Sequence, residues 1–298
     1  MSIVVNRRLS GIRFIDPKTK NYLLRSKHGL IAESGVLSAY YKDKKWFFLD
    51  QAEIQSFTLQ RDPLDVFKSF LKFVFGRHYK MLIWIVSQHM PRIHWRTHQT
   101  YLSYTVRKFA DGKKIVLNLG SGNDRYSENI INIDIFPFKE VDVVARAEIL
   151  PFPDNYIDGI INTELLEHVE DPESVLREAY RVLKNDGFII TAAPFIENFH
   201  GSPKDFYRWS HMGLVALHEK IGFKIEKIVP LAGPTASLIS IVESWIALLL
   251  SFNVKYLYYF WIISLSILFL PLKLFDLFLI HFKMSYSINA SNMYIGKK

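Results

Sequence analysis

Cysteine is missing from all 298 residues, which excludes a disulfide framework, a thiolate metal site and a thiol nucleophile. The first eight residues carry Arg7 and Arg8 with no long apolar core behind them, so no cleaved signal peptide is expected and the expected compartment is the cytoplasm. A continuous basic block is also lacking. The net charge is +8 and the pI about 9.4, but the bases fall in small groups, at Arg7 and Arg8, Lys42 to Lys45, Arg92 to Arg96, and Lys113 with Lys114. No recognisable RNA-binding module accompanies them. Nucleic acid is therefore not the expected partner, and the charge suits a solvated surface or proximity to an anionic membrane. The length allows one large core or two small ones.

What is present centres on Val116 to Asp124, where an apolar strand runs into a turn containing Gly120 and Gly122. Glycines there let the backbone turn sharply and approach a ligand where a Cβ would collide. Gly-x-Gly alone is a weak signal, and the third glycine of the dinucleotide fingerprint is replaced by Arg125. A second strand, Ile130 to Ile133, ends in Asp134, whose carboxylate can accept both hydroxyls of a ribose. The pair points to an adenosine-type ligand, and the missing glycine points away from a dinucleotide.

The order of elements sets the class. Further strands are expected at Val141 to Val144, from Tyr156 or Ile157 through Asn162, at Phe188 to Ala193, and at Phe223 to Pro230. Asp171, Pro172 and Glu173 open a helix running to about Leu183, stopped by Asn185, Asp186 and Gly187. Ser210 caps a second helix, His211 to Ile221, which Gly222 ends. Such alternation implies an α/β fold with a mostly parallel sheet and helices on both faces.

Five ordered motifs, Leu117 to Gly122, Asp134, Ala147 to Asp158, Glu164 to Val169 and Arg177 to Lys184, resemble those of the class I S-adenosylmethionine-dependent methyltransferases. The resemblance covers roughly residues 100 to 235 plus a last strand at 288 to 298. It implies a Rossmann-like seven-stranded, mostly parallel sheet with an antiparallel last strand. It also implies that the glycine loop receives the methionine portion of S-adenosyl-L-methionine and Asp134 its ribose. The cofactor wall would then comprise Asn118, Leu119, Gly120, Ser121, Gly122, Asp134, Ala147, Glu148, Asn162 and Glu164. Two positions depart from the family pattern. Asn118 stands in place of an acid, so its contact to the cofactor ammonium would be weaker by about half, and Arg146 replaces an acid that often meets the adenine, leaving Glu148 as the substitute.

After the fifth strand, Ala193 to Trp209 is polar and aromatic and leaves the carboxyl end of a strand, where α/β domains bind ligands. It resembles the His…Asp-x-x-Arg-Trp loop of methyltransferases from bacterial surface-polysaccharide pathways. Methyl transfer is dominated by positioning and needs a base only for a hydroxyl acceptor. The candidate catalytic residues are His200, Asp205 and His168, with Tyr207, Arg208 and Trp209 as substrate-binding candidates. No metal-ligand set stands out.

Additions flank this domain. Residues 1–60 read as a small β-rich extension, with a hairpin around Lys42 to Lys45 and a loose pattern of a zinc-ribbon-like module without its cysteines. Residues 61–99 read as an amphipathic helical segment packing on the core, chiefly from Leu64 to His89. Residues 236–287 form an apolar helical insertion before the last strand. From Ser237 to Phe282 only Glu243, Lys255, Lys273 and Asp276 are charged. If the last strand returns to pair with the sixth, both ends of the insertion lie on one side of any membrane. Tyr256 to Leu272 falls short of the roughly 20 apolar residues of a span, so peripheral contact through 236–283 at the inner face is expected, with a hairpin or a soluble lid as alternatives. The expected function is O-methylation of a saccharide or lipid-linked small-molecule acceptor. The alternatives are a non-catalytic partner of membrane glycosyltransferases or an RNA methyltransferase.

Overall fold

The computed structural model describes residues 9, 11–26, 29–34, 37–49, 53, 54, 76, 114–201 and 204–298. The amphipathic helices expected within 61–99 lie outside the described residues. The strands are β1 (Leu24–Arg25), β2 (Gly29–Ile31), β3 (Leu37–Lys42), β4 (Lys45–Phe47), β5 (Val116–Leu119), β6 (Ile130–Asp134), β7 (Val143–Val144), β8 (Ile157–Thr163), β9 (Leu183–Pro194), β10 (Lys224–Ala232) and β11 (Ser291–Lys297). They form one sheet in the order β1-β2-β3-β4-β7-β6-β5-β8-β9-β11-β10.

The run from β7 to β10 is the expected seven-stranded unit. β5 pairs parallel with β6 and β8, β8 pairs parallel with β9, and β11 lies antiparallel between β9 and β10. The strand count departs from seven because β4 adds in parallel to β7, with Trp46 opposite Val143 and Phe47 opposite Val144. The N-terminal extension thereby continues the central sheet. Asp43 and Lys44 both take positive φ, 49° and 66°, as a two-residue hairpin turn requires. Trp46 is fully buried, with its ring centroid 6.0 Å from that of Phe14, which in turn lies 5.5 Å from Phe152 of the central domain. Aromatic packing joins the N-terminal extension to the core.

Helix signals act locally and fall where expected. In α1 (Pro172–Val182) the Asp171 carboxylate accepts from the Ser174 N–H at 3.2 Å, with proline in the first turn. In α2 (His211–Ile221) the Ser210 hydroxyl accepts from the Gly213 N–H at 3.1 Å, and Gly222 ends the helix at φ 114°. β9 starts earlier than expected, at Leu183 opposite Ile157, because the chain re-enters the sheet directly and absorbs Asp186 and Gly187 as an irregularity.

On the inner face of α2, His218 is fully buried, its Nε2 2.8 Å from the Thr191 hydroxyl and its Nδ1 2.8 Å from the Leu214 carbonyl. Burial pushes its pKa from 6.5 down to about 4. The unfolded chain therefore binds the proton more readily, and this contribution to stability is complete above about pH 6.5 and fades as the pH falls towards 4. The loss is on the order of 3 kcal/mol. Chemical denaturation at several pH values should show wild type weakening across this interval more steeply than His218→Gln. Parallel curves would disprove the assignment.

The apolar insertion consists of α3 (Pro234–Ser251) and α4 (Lys255–Phe269), the latter prolonged by short helical turns to Leu279. It leaves and re-enters the sheet at one place, since Ala232 pairs with Ser291 and the Ala290 N–H donates to the Ala232 carbonyl at 3.1 Å. The helical stretch 255–279 is 25 residues long, which corrects the expected shortfall. Pro271 does not end it, because it sits in the first turn of a 3₁₀ segment, where its missing N–H costs little. Glu243 is buried and accepts from the Ser266 hydroxyl of α4 at 3.0 Å. Asp276 accepts from the Thr235 and Ala236 N–H groups at 2.7 and 2.9 Å, capping the start of α3.

Candidate active site

The glycine turn leaves β5 at the carboxyl end of the sheet. Gly120 has φ 66° and Gly122 φ 54°, values that side-chain-bearing residues adopt at a cost. A Cβ on Gly120 would lie 2.9 Å from Leu165 Cδ1, whereas one on Gly122 would meet nothing within 4 Å. Open space over Gly122 is what a ligand-facing turn requires. Asp134 supports this turn, since its Oδ2 accepts from the Gly122 N–H and its Oδ1 from the Phe136 N–H, both at 2.9 Å. Burial raises its pKa, and the N–H bonds restrain that rise. A carboxylate offers about four acceptor positions, so two remain for a ribose.

Arg125 has a structural task. Its side chain, 9% exposed, donates to the Ile130 carbonyl at 3.1 Å, to the Glu140 carboxylate at 3.0 Å, to the Glu140 carbonyl, and to the Asp142 carboxylate at 3.0 Å. It ties the glycine loop to β6 and to the approach to β7. A third glycine would remove that brace.

A cavity of about 530 Å³ opens beside the turn, lined by Gly120, Gly122, Asp134, Ala147, Glu148 and Glu164 among others. Asn118, Leu119, Ser121 and Asn162 are not in its lining; they lie buried below. The Asn118 amide donates to Asn132 at 3.3 Å while its own carbonyl oxygen accepts no hydrogen bond, and neither amide atom of Asn162 is paired. Arg146, in the cavity wall, lies 3.5 Å from Glu148.

Glu164, at φ 54°, ends β8 with a left-handed residue and starts the turn that carries Leu165 under Gly120. The loop after β9 folds over this turn. The Phe206 N–H donates to the Glu167 carbonyl at 2.7 Å, His168 Nδ1 lies 2.6 Å from the Lys204 carbonyl, and the Tyr207 hydroxyl donates to the Glu170 carbonyl at 2.8 Å. Lys204 also pairs with Glu170. Lys204 and Phe206 line the cavity, whereas Tyr207, Arg208 and Trp209 do not. Sequence reasoning missed Lys204 and Phe206 because nothing in the motif distinguishes the side of the loop that faces inward.

The expected substrate-binding residues instead hold the loop. Arg208 donates to the Glu197 carbonyl at 3.1 Å, to the Asn198 carbonyl at 2.7 Å and to both Asp205 oxygens. Tyr207 stacks on Trp209 at 5.3 Å. Asp205 accepts from the His200 backbone N–H at 2.8 Å, while the His200 ring lies 3.8 Å away, so it shapes the loop through the main chain. Burial works to raise the Asp205 pKa, but Arg208 and the His200 N–H bring it below the usual carboxylate value.

His168 and His200, 32 positions apart in the chain, meet with ring centroids 5.2 Å apart, edge to face. Between them lies Glu167, fully buried. Burial pushes its carboxyl well upward, reinforced by the negative charges of Glu164 and Glu197. Burial also lowers the pKa of His168, keeping that imidazole neutral at pH 7. Glu167, His168 and His200 bring their donor atoms within 4.8 Å of one another, a grouping the sequence analysis did not foresee.

The sheet order, the glycine turn and the acid closing the second strand define a Rossmann-like domain built to hold a nucleoside. Residues 117–191 match the family described as a methyltransferase domain, and the core of this chain is that of a class I S-adenosylmethionine-dependent methyltransferase. The chain is 35% identical over 107 residues to the ubiquinone/menaquinone biosynthesis C-methyltransferase UbiE of Vibrio cholerae, covering 32% of this chain and 38% of that protein. It is 41% identical over 64 residues to the chloroplastic 2-methyl-6-phytyl-1,4-hydroquinone methyltransferase of Arabidopsis thaliana, covering 21% and 19%. The chain thus spans well under half the length of these curated relatives. Among solved structures, the phosphoethanolamine N-methyltransferase 2 of Haemonchus contortus in complex with S-adenosyl-L-methionine overlays with a TM-score of 0.42 at 14% identity, covering 66% of this chain and 52% of that one.

Proposed function

We propose that the protein methylates a hydroxyl of a polar, lipid-borne acceptor, of which a lipid-linked saccharide is the leading class, using S-adenosyl-L-methionine. The cofactor supplies an electrophilic methyl group on a sulfonium. The observation that carries the reading is one cavity bordered on one side by the Gly120–Gly122 turn and Asp134, and on the other by His168 and Lys204. Gly122 leaves room for the cofactor, Asp134 accepts its ribose hydroxyls, and Glu148 is the acid nearest the position for an adenine. His168, hydrogen-bonded through Nδ1 to the Lys204 carbonyl, lines the same cavity and is the candidate group for receiving the proton of an acceptor hydroxyl. Charged side chains in that wall, Arg146, Lys204 and Glu170 among them, favour a polar acceptor.

The matched quinone and hydroquinone methyltransferases share 107 and 64 residues with this chain, well under half of their own length, so their acceptors supply only a second reading, C-methylation of a lipid quinone. A membrane acceptor accords with the α3–α4 hairpin. Trp245, Leu248, Phe252, Phe260 and Phe278 are exposed on it, from 56% to 83%. Over 234–254 the one charged residue, Glu243, faces α4, so no polar face remains for a helix lying flat. Insertion of the hairpin into lipid from the side of the catalytic domain is the proposed mode of attachment.

The test is calorimetry with S-adenosyl-L-methionine, followed by turnover on an acceptor panel of lipid-linked saccharides, free saccharides and quinones. Absence of binding at millimolar cofactor by a folded protein would sink the enzyme reading. Turnover confined to quinones would move the assignment to the second reading, and binding without turnover on any acceptor would favour a non-catalytic partner. In vesicle flotation the chain should remain with liposomes through high-salt washing; release by salt would place the hairpin outside the acyl layer.

A further inference from the structure

We propose that Glu167, His168 and His200 form a site for one divalent transition-metal ion of the zinc class at the edge of the cavity. Three donor atoms converge there. Glu167 Oε1 lies 3.6 Å from His168 Nε2 and 3.9 Å from His200 Nε2. Two imidazole nitrogens and one carboxylate oxygen are a ligand set of catalytic zinc sites, which keep a further position open. Metal–ligand bonds of about 2.0–2.2 Å in a tetrahedral arrangement put ligand atoms roughly 3.3 Å apart. The two carboxylate–imidazole spacings exceed that value by about 0.3 and 0.6 Å, and all three donor atoms lie within 4.8 Å of one another, so ion binding draws the imidazoles together.

An independent observation is the state of Glu167. The residue is fully buried, and neither carboxylate oxygen accepts a hydrogen bond. His168 Nδ1 faces the Lys204 carbonyl at 2.6 Å, and His200 Nδ1 faces the Asn198 carbonyl at 3.1 Å. A carbonyl can only accept, so His168 Nδ1 carries the proton and its Nε2 turns a lone pair toward Glu167; His200 Nδ1 lies between the Asn198 carbonyl and the Arg208 guanidinium, the latter at 3.4 Å. The buried Glu167 carboxyl group thus has two imidazole Nε2 atoms at 3.6 and 3.9 Å and no hydrogen-bond partner of its own. A divalent cation at their centre supplies that partner, and the carbonyls become outer partners that orient the imidazoles.

His168 lines the cavity, so an ion held here sits at the cavity's edge. Its use there, holding the acceptor oxygen and easing loss of its proton, rests on the methyl-transfer reading; the site itself does not. In that role the ion, and not an imidazole, would receive the oxygen.

The experiment is equilibrium dialysis and calorimetry of the full chain after chelator treatment, with Zn²⁺, Mn²⁺ and, as the hard-ion control, Mg²⁺. Cofactor binding is measured in parallel with S-adenosylhomocysteine. One Zn²⁺ per chain is expected, with Mg²⁺ at least roughly a hundredfold weaker, and Co²⁺ should give visible absorption of a four- or five-coordinate site. Glu167→Gln and, separately, His200→Ala should each weaken Zn²⁺ by at least about a hundredfold, more than the 10–100-fold typical of outer partners. S-adenosylhomocysteine affinity should persist in either variant, which also reports on folding. No stoichiometric Zn²⁺ in wild type, or undiminished Zn²⁺ in a variant that still binds S-adenosylhomocysteine, overturns the proposal. Zn²⁺ binding without cofactor binding would leave the site standing and remove the enzymatic reading.

Discussion

Replacing Asp134 with alanine is expected to weaken S-adenosyl-L-methionine binding by at least about a hundredfold, the largest loss expected from any single side chain in the cofactor half of the cavity. Hydrogen bonds to charged groups contribute about 1.5–3 kcal/mol each, and two ribose hydroxyls on one carboxylate therefore put at least ~3 kcal/mol at stake, at about 1.4 kcal/mol per factor of ten. The side chain also holds the Gly122 and Phe136 N–H groups at 2.9 Å, so its removal frees the turn as well. Asp134→Asn keeps an acceptor oxygen and should lose roughly tenfold, since a neutral acceptor is about half as strong. Calorimetry on both variants, with circular dichroism to confirm folding, separates charge from turn geometry. An alanine variant within fivefold of wild type would remove Asp134 from the binding site.

The second large effect runs against the sequence motif. Arg125→Gly restores the third glycine of the dinucleotide fingerprint, yet it should destabilise the fold by about 3–5 kcal/mol, the cost of leaving a buried charge without its partner. Asp142, 2% exposed, and the Ile130 and Glu140 carbonyls would lose the guanidinium that joins them. For a domain of this size the melting temperature should drop by roughly 10 °C. Arg125→Lys, with a point charge in place of a fork, should recover only part of the loss. Differential scanning calorimetry measures this directly, and a melting temperature unchanged to within a degree or two would show that the guanidinium network contributes little.

Much of the cofactor half is legible in the chain because its signals are local. A glycine at positive φ, an acid at the end of the next strand, Asp171 before Pro172, and Ser210 with Gly222 act within a few residues of themselves. The acceptor half is less legible. Tyr207, Arg208 and Trp209 look like a substrate clamp in sequence, but Arg208 spends its donors on Glu197, Asn198 and Asp205, and it is Lys204 and Phe206 that reach the cavity. Which side of an irregular loop faces inward depends on partners supplied by other elements. The same holds for the N-terminal strands, whose pairing with β7 is a contact between residues about a hundred positions apart.

By itself the sequence determined the alternation of strands and helices, because periodicity, caps and turn residues are properties of neighbouring positions, while the resemblance of its motifs to a methyltransferase family implied the class and the return of the last strand beside the sixth. Only the tertiary structure decided that Arg125 braces the glycine loop, that Glu243 turns toward Ser266 and away from the outer face of its helix, and that Glu167 lies buried beside His168 and His200. Each of those depends on burial and on partners distant in the chain, and the free energy of a charged group is set by its surroundings more than by its identity.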